Sequence, residues 1–293
     1  MSSYFELSSR PDEFWCPYRR ASLAPALALL ATVTTASLSA QEGSSHGLSP
    51  AEQENFLRAA RVVRSDTLAE GVTRSIRATL SDGTLTHDAH IQHIDESEPS
   101  FALAAGYELN FRDSYKFNIA AYQLDRMLGL GMIPVAVERK IDGKPAALSW
   151  WVDDVAMTEK IRYAKKLEPP DLDTWNQQIY RVRVFDQLIY NVDRNLGNIV
   201  ITSDWKMWMI DHTRAFRLHK KLNRPQHLIK CDRQLLEALR NLDAVECHQK
   251  LRGALKKSEI SALLTRRDLI VSCFDQQAAE QGEDAVLLDY TGP

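Results

Sequence analysis

Three residues with oxygen-bearing side chains stand out in a largely apolar stretch, FDQLIYNVDRNLGNIVITSDWKMWMIDHTRAF, which runs from Phe185 to Phe216. They are Asp193, Asn198 and Asp211. Carboxylate and amide oxygens are hard ligands that suit Mg²⁺ or Mn²⁺ held against phosphate oxygens. Phosphoryl transfer needs such ligands together with a carboxylate that orients or deprotonates the attacking hydroxyl. The three residue types therefore predict metal-dependent phosphate chemistry if the fold brings them together.

A short β-hairpin is the element that must position these side chains. Residues 198–202 are β-branched and predict a strand, Ser203-Asp204 predicts a turn, and residues 206–210 predict the return strand. A turn centred on that pair places Asn198 across from Met209. Neighbouring strands lie about 5 Å apart. Both aspartates are therefore expected at the open end of the hairpin, beside the asparagine.

These residues resemble the catalytic machinery of atypical kinases. The segment Asp193-Arg194-Asn195-Leu196-Gly197-Asn198, followed by Asp211-His212-Thr213-Arg214-Ala215-Phe216, is similar to their D-R-x-x-x-N loop and later metal-binding segment. The similarity is to the secreted Golgi casein-kinase type, the bacterial persistence-toxin kinases and the phosphatidylinositol kinases. The Arg and Phe after Asp211 resemble the secreted kinases in particular. The resemblance implies an α+β, two-lobed kinase-like fold, in which a small β-rich lobe with one main helix precedes a larger, mostly helical lobe.

The resemblance also implies a role for each residue. Asp193 would orient or deprotonate the acceptor hydroxyl, Arg194 or Arg214 would buttress the loop, and Asn198 and Asp211 would hold Mg²⁺ or Mn²⁺. The implied reaction transfers the γ-phosphoryl group of ATP to that hydroxyl. Protein, lipid, sugar and small-molecule acceptors all remain open. A surface hairpin with incidental Asp and Asn residues is the alternative interpretation.

Two positions depart from the pattern of active kinases. Those enzymes place a Lys from a small-lobe strand on the nucleotide phosphates and pair it with a Glu from the helix. By order along the chain, these positions fall on Gln92 and Asn118, which are both neutral amides. Replacing one partner would leave a buried charge unpaired, whereas replacing both preserves the electrical balance. We expect a Gln92–Asn118 hydrogen bond and a weaker grip on the nucleotide phosphates.

Several functions are compatible with neutral amides at Gln92 and Asn118. Another cation, such as Lys116, Arg74 or Arg112, can substitute for the lysine and give a working phosphotransferase. Alternatively, the protein is a catalytically silent nucleotide-binding regulator. An altered phosphate grip could also expose the α-phosphate, as a nucleotidyl transferase requires. The presence of all three metal and catalytic residue types favours catalysis.

The chain before this stretch predicts the strands of the small lobe. Residues 73–80 and 85–94, joined by the turn Ser81-Asp82-Gly83, predict a hairpin, and residues 132–138 predict a further strand. Gly71 comes just before the first of these strands. A glycine there would let the backbone approach a phosphate, although an ordinary turn explains a single glycine as well.

Residues 113–128 predict the main helix of the small lobe, because apolar residues recur at helical spacing and Gly129 ends the pattern. Residues 146–152 predict a strand. From residue 147 onward, the resemblance makes this strand the connection to the large lobe, where backbone amides meet adenine. Trp150 and Trp151 would pack on the base there, although two tryptophans in an apolar run also suit an ordinary core.

The rest of the chain predicts a mostly helical lobe. A long helix capped by Asp173 or Thr174 leads to the catalytic loop, and apolar stripes within residues 232–281 predict further helices. The predicted boundaries are residues 61–152 for the small nucleotide-binding lobe and residues 153–293 for the large catalytic-type lobe.

Residues 1–40 predict a secretory signal peptide. Arg19-Arg20 precede an apolar, Ala- and Leu-rich run that ends in small residues, and its late threonines argue against a stable membrane span. A disordered cytoplasmic tail is the alternative. Residues 41–60 predict a linker and a short helix, with Ser49 as cap and Pro50 in the first turn. Export would leave ATP scarce, which favours an unusual donor or the silent regulator.

Composition limits the remaining function classes. The 293 residues are 44% hydrophobic and 26% charged, which is typical of a globular protein. The net charge of -3 gives no reason to expect a nucleic acid or an anionic membrane as partner. Once the leader is removed, Cys231, Cys247 and Cys273 remain, which permits at most one internal disulfide. Buried free thiols are the simpler expectation.

Three histidines raise a zinc site as an alternative from a different class. His87, His90 and His93 are spaced three apart, and a zinc enzyme needs three or four converging ligands. Alternate residues of a strand point to opposite faces, so His90 and His93 are expected to diverge. This geometry disfavours zinc.

Overall fold

The chain folds into a β-rich part followed by a mostly helical part, in a computed structural model that describes residues 47–67, 76–103 and 106–293. The described helices are α1 (Pro50–Ala59), α2 (Lys116–Leu128), α3 (Glu159–Lys165), α4 (Leu172–Ile189), α5 (Arg233–Arg240), α6 (Ala244–Leu251), α7 (Lys257–Gln281) and α8 (Glu283–Val286). The described strands are β1 (Arg61–Thr67), β2 (Ile76–Ser81), β3 (Thr86–Gln92), β4 (Asp95–Leu103), β5 (Gly106–Ser114), β6 (Ala136–Ile141), β7 (Lys144–Trp150), β8 (Val155–Thr158), β9 (Ile199–Thr202), β10 (Met207–Met209), β11 (Cys231–Asp232) and β12 (Leu287–Leu288). The predicted leader, Gly71 and Arg74 lie outside the described residues.

A five-stranded antiparallel sheet forms the β-rich part, in the order β1-β2-β3-β7-β6. The predicted hairpin is confirmed: β2 and β3 pair from Ser81↔Thr86 to Ile76↔Ile91. The Asp82 carboxylate closes the turn by accepting hydrogen bonds from the backbone N–H groups of Thr84 and Leu85, both at 2.8 Å. One face of the sheet is apolar, so helices must cover it.

Helices α1 and α2 pack on this sheet. The expected cap of α1 is confirmed, because Ser49 and Glu52 form a capping box at its first turn. Its Phe56 ring packs edge-on against Trp150 with 5.6 Å between ring centroids. In α2 the residues at helical spacing are buried as predicted, and Gly129 ends the helix with φ 65°. The short helix before the small lobe is therefore part of its packing.

A second hairpin, β4–β5, is inserted between β3 and α2, and it corrects the predicted start of the helix. Asp113 was expected to begin α2, but it lies in β5, where it pairs with Glu96. The helix begins only at Lys116. The apolar residues after Asp113 have helical spacing. The pairing of β4 with β5, which includes Asp95↔Ser114, nevertheless keeps the backbone before α2 extended. Asp113 is thereby carried by a strand.

The helical part is built around α4. Its Trp175, Val182 and Phe185 side chains are buried. Its N-terminus is capped by Asp171 and not, as had been predicted, by Asp173 or Thr174. Three strands in the order β10-β9-β8 and the helices α5 to α7 complete the packing. Among the described residues, no helix combines the length and apolar character needed to cross a bilayer.

The three described cysteines are all free thiols, as the simpler expectation had it. Cys231 and Cys247 are buried, and Cys273 is partly exposed. Burial raises the pKa of the Cys247 thiol to about 11. A thiol with so high a pKa is protonated at neutral pH and is therefore a poor nucleophile.

Candidate active site

The β9–β10 hairpin forms as predicted, but its register differs by one residue. Met209 pairs with Ile199, and the Ile210 N–H donates to the Asn198 carbonyl at 3.1 Å. The loop has three residues instead of two, because Trp205 adopts a left-handed conformation with φ 64°. Asn198 consequently lies across from residue 210. It remains at the open end of the hairpin, where Asp211 follows directly.

Arg194 holds the loop before β9 in place. Its guanidinium contacts the Asp186 carboxylate of α4 at 3.0 Å, and Nη1 donates to the carbonyls of Asn198 and Ile210, each at 2.9 Å. Both charged side chains are largely buried, so this ion pair is shielded from water. Arg194 thus ties the long helix to both strands of the hairpin.

Asp193 lies on the loop that Arg194 supports, with its position fixed by backbone contacts. Its N–H donates to the Asn191 side chain at 3.0 Å, and its carbonyl accepts from the Asn198 amide at 3.0 Å. Burial raises the pKa of the Asp193 carboxyl, Arg214 lowers it, and Asp211 raises it again. The net shift is upward. Asp193 and Asp211 are therefore close enough to repel each other.

Asp211 has an unusual backbone conformation. Its φ of 54° lies in the left-handed region that non-glycine residues seldom adopt. Its Oδ1 accepts a hydrogen bond from the Thr213 hydroxyl at 3.2 Å. Such conformations persist only where the surrounding structure enforces them, and they cluster at functional sites.

The two neutral amides form the expected hydrogen bond. The Asn118 Nδ2 donates to the Gln92 Oε1 at 2.7 Å, in a fully buried setting. The Asn118 Oδ1 accepts from the backbone N–H of His212 at 2.7 Å. Asn118 therefore connects β3 and α2 to the residue after Asp211 through hydrogen bonds of an uncharged side chain.

Of the three cations that were candidates to replace the lysine, the two that lie among the described residues are engaged elsewhere. Lys116 pairs with Asp95 at 2.9 Å, Arg112 pairs with Glu259, and Arg74 lies outside the described residues. Arg214 was expected only as a buttress of the loop. Its charge acts on the carboxylates of Asp193 and Asp113.

Contacts from the inserted hairpin hold Arg214. Its guanidinium lies 5.3 Å from the centroid of the Phe111 ring, and Nη2 lies 3.5 Å from the Glu108 carboxylate. The same carboxylate binds Arg217 at 2.8 Å. This arrangement was not predicted from the residue types, because it depends on the pairing of β4 with β5.

The side chains of Trp150 and Trp151 have different surroundings. Trp150 is 6% exposed, and its ring stacks on His87 with 3.7 Å between centroids. It shares the apolar face of the sheet with Leu148, so it belongs to the core. Trp151 is partly exposed, and the Arg77 guanidinium covers its ring at 4.3 Å. Of the pair, Trp151 alone retains ring surface outside the core.

The histidines diverge as expected. His87 contacts Asp153 at 2.9 Å, His93 contacts the Pro145 carbonyl at 3.0 Å, and His90 lies on the same side of β3 as Gln92. Burial lowers the pKa of His90, and the charge of Asp211 raises it. In the described part of the chain, no three His, Cys, Asp or Glu side chains converge as a metal site. His90 faces the candidate site and was not predicted to do so.

Comparisons with solved structures identify the fold. A Fam20 protein of hydra, solved with sugar, superposes with a TM-score of 0.62 at 14% identity, over 83% of this chain and 93% of the other. The Golgi casein kinase with Mn and ADP bound superposes with a TM-score of 0.57 at 15% identity, over 82% and 78% respectively. No family model matches the sequence, and no curated protein sequence matches it. The chain therefore has an atypical kinase-like fold, as predicted.

Proposed function

We propose that this protein is an ATP- and divalent-metal-dependent phosphotransferase that acts on a hydroxyl group. The observation that carries the proposal is the meeting of Asp193, Asn198 and Asp211 at one end of a hairpin that Arg194 braces. A surface hairpin with incidental polar residues would not need a buried arginine to hold its open end. The kinase-like fold supports the same chemistry.

Asp193 is proposed to accept or orient the proton of the acceptor hydroxyl. A general base works best when its pKa approaches the working pH. Burial and the neighbouring Asp211 raise the pKa of Asp193 in that direction. Arg194 is proposed as a positioning residue, because its guanidinium binds the Asp186 carboxylate and two backbone carbonyls.

The donor set fits Mg²⁺ or Mn²⁺. The Asn198 amide nitrogen donates to the Asp193 carbonyl, which leaves the amide oxygen as the metal-binding atom. Asp211 supplies a carboxylate on the adjacent segment. Hard oxygen ligands of this kind, with phosphate oxygens completing the shell, suit either ion. When bound, the ion would offset the negative charge of the nucleotide phosphates. The Golgi casein kinase structure contains Mn and ADP.

Nucleotide phosphates are proposed to meet Arg214 instead of a strand lysine. Gln92 and Asn118 bind each other and carry no charge. Arg214 faces the carboxylates of Asp193 and Asp113 from the segment after Asp211. A guanidinium there can contact phosphate oxygens through two donors at once. Gly71 and Trp151 remain proposed nucleotide contacts, because of their places along the chain alone.

A silent nucleotide-binding regulator is the second candidate function. The observation that favours it is the neutral Gln92–Asn118 hydrogen bond, at the two positions to which order along the chain assigns the usual Lys–Glu pair. A protein of this kind would bind nucleotide through the same residues without transferring phosphate. Export likewise stays a proposal, which rests on the leader pattern of residues 1–40.

Calorimetric titration with ATP and with ADP, each with Mn²⁺ or Mg²⁺, tests the proposal together with labelled-phosphate transfer. We expect the wild type to bind nucleotide and Asp211→Ala to lose most of that affinity. Asp142→Asn is the matched control, since this exposed turn residue has φ 49°, which Asn tolerates. Transfer in the wild type supports the enzyme, and binding without transfer supports the regulator. No nucleotide binding with either metal would refute both.

A further inference from the structure

A cavity of about 350 Å³ lies where three elements of the fold meet. Its walls come from the inserted hairpin β4–β5, from the segment after Asp211 and from the first turn of α7. A volume of this size lies within the range of small-molecule sites, which is roughly 300–1,000 Å³. The cavity is lined by none of Asp193, Asn198 and Asp211. It is therefore a different place from the proposed metal site.

Arg217 lines this cavity with a guanidinium that is incompletely paired. Its side chain is 5% exposed, its Nε lies 2.8 Å from the Glu108 carboxylate, and its Nη1 donates to the Arg112 carbonyl at 2.6 Å. The buried Nη2 has no acceptor among the described residues. A buried donor without an acceptor costs free energy, so its presence in a folded protein requires an explanation. A ligand with acceptor oxygens in the cavity would supply one.

The first turn of α7 brings further donors to the same cavity. The N–H groups of a first turn have no acceptor within the helix, and a Ser, Thr, Asp or Asn side chain at the N-cap usually provides one. Here the N-cap residue is Lys256, whose ammonium group can only donate. Ser258 follows in the first turn and lines the cavity with an exposed side chain. The start of this 25-residue helix therefore favours an anion.

The charges around the cavity have a positive excess. The Glu108 carboxylate is shared by Arg214 and Arg217. Lys256 lines the cavity and has no ion pair within the described part of the chain, and Glu98 lines it as an exposed carboxylate. Two further charged lining residues form an ion pair with each other. Three cations thus stand against two carboxylates, and one anionic group would restore the balance.

We propose that this cavity binds an oxyanion of the phosphate type, either as inorganic phosphate or as the phosphate group of a small molecule. The Arg217 Nη2, the Ser258 hydroxyl and the first-turn N–H groups of α7 donate to its oxygens, and Lys256 offsets its charge. Guanidinium groups and helix N-termini both suit phosphate oxygens. The bound anion joins the segment after Asp211 to α7. The site is additional to the proposed function, since it uses neither the nucleotide nor the divalent ion.

Calorimetric titration with inorganic phosphate tests the proposal, in the presence of a chelator and without nucleotide. We expect the wild type to bind phosphate and Ser258→Glu to weaken that binding by about tenfold or more, because the new carboxylate repels the anion. A carboxylate in a first turn also interacts favourably with the helix dipole, so Ser258→Glu should keep the wild-type Tm or raise it. A structural defect would instead lower Tm. Val245→Glu is the matched control, since it places the same charge in the first turn of α6 at a position that is 62% exposed.

A second variant and a second compound complete the test. Lys256→Gln, at an exposed position, should weaken phosphate binding by about threefold. Tighter binding of phenyl phosphate than of inorganic phosphate would identify a phosphorylated small molecule as the ligand, and the reverse order would identify the free ion.

The two glutamate variants decide the outcome. Phosphate binding that is lost in Ser258→Glu and retained in Val245→Glu supports the site. Equal phosphate affinity in the wild type and Ser258→Glu would overturn it, because the anion would then bind elsewhere. Failure of the wild type to bind either compound would overturn it as well.

Discussion

Introducing a Lys–Glu pair at positions 92 and 118 tests whether these two side chains are in contact. The experiment is a double-mutant cycle, which consists of Gln92→Lys, Asn118→Glu and the double variant. The two side chains are 2% and 6% exposed and are joined by a 2.7 Å hydrogen bond. Each single variant therefore introduces one buried charge with no designed partner. The double variant introduces both charges at hydrogen-bonding distance.

The expected magnitudes follow from this burial. An unpaired buried charge costs about 3–5 kcal/mol of folding free energy. In a chain of this size 1 kcal/mol corresponds to roughly 2–4 °C, so each single variant should lower Tm by about 10 °C. In the double variant the charges attract, and the new carboxylate can still accept from the His212 N–H. We expect it to be more stable than either single variant, with a coupling energy of about 2 kcal/mol or more.

Denaturant unfolding of all four proteins measures the coupling energy, and calorimetry with ADP and Mn²⁺ measures the effect on nucleotide binding. Gln92→Met serves as the uncharged control, since it removes the hydrogen bond without adding a charge. The double variant should bind ADP more tightly than the wild type, because a lysine there would reach the phosphates. Free energies that add to within about 0.5 kcal/mol would refute the contact between these positions.

Four further outcomes follow from the same contacts. Asp193→Asn should lower kcat by about 10²–10⁴-fold with nucleotide affinity unchanged, as labelled-phosphate transfer and calorimetry would show. Because burial raises the pKa of Asp193, the acid limb of the kcat/KM profile should lie above the ordinary aspartate value of about 3.9, with activity lost as pH falls through it. Arg194→Met should cost about 3–5 kcal/mol in denaturant unfolding, and adding Asp186→Leu should recover much of that loss. Burial raises the pKa of Asp125 to about 6, so stability should decline by about 2–3 kcal/mol as pH rises from 4 to 6, and a flat difference between wild type and Asp125→Asn over that range would contradict this.

The sequence predicted the central hairpin because its signals are local. Residues 198–202 are β-branched, and the turn residues beside them stop the strand. The register was wrong by one residue, since Trp205 adopts the left-handed conformation that glycine or asparagine would normally signal. The Thr202 and Asp204 side chains close that loop with a 2.5 Å hydrogen bond. Such a contact forms only in the folded loop and cannot be predicted from the residue types.

The inserted hairpin was missed because its defining contacts are distant in sequence. Asp113 precedes a helical pattern of apolar residues, so the helix was predicted to begin there. Pairing of β4 with β5 overrides that local preference and carries the side chain towards Thr213, one hundred positions along the chain. The contacts of Arg214 were not predicted either, since Phe111 and Glu108 hold it from the same hairpin.

Because of the neutral Gln92–Asn118 pair and of Arg214, movements of the elements around the site should affect the proposed phosphate contact differently than in a kinase with the Lys–Glu pair. In a kinase with the Lys–Glu pair, the phosphate contact is lost whenever strand and helix separate, because the cation is part of that pair. Here the link from β3 to α2 continues to the His212 N–H, so it positions Asp211 and its neighbours directly. Arg214, the cation proposed to contact the phosphates, belongs to the segment after Asp211, and the inserted hairpin holds it through Glu108. Displacement of that hairpin should therefore affect the phosphate contact more than displacement of α2 does.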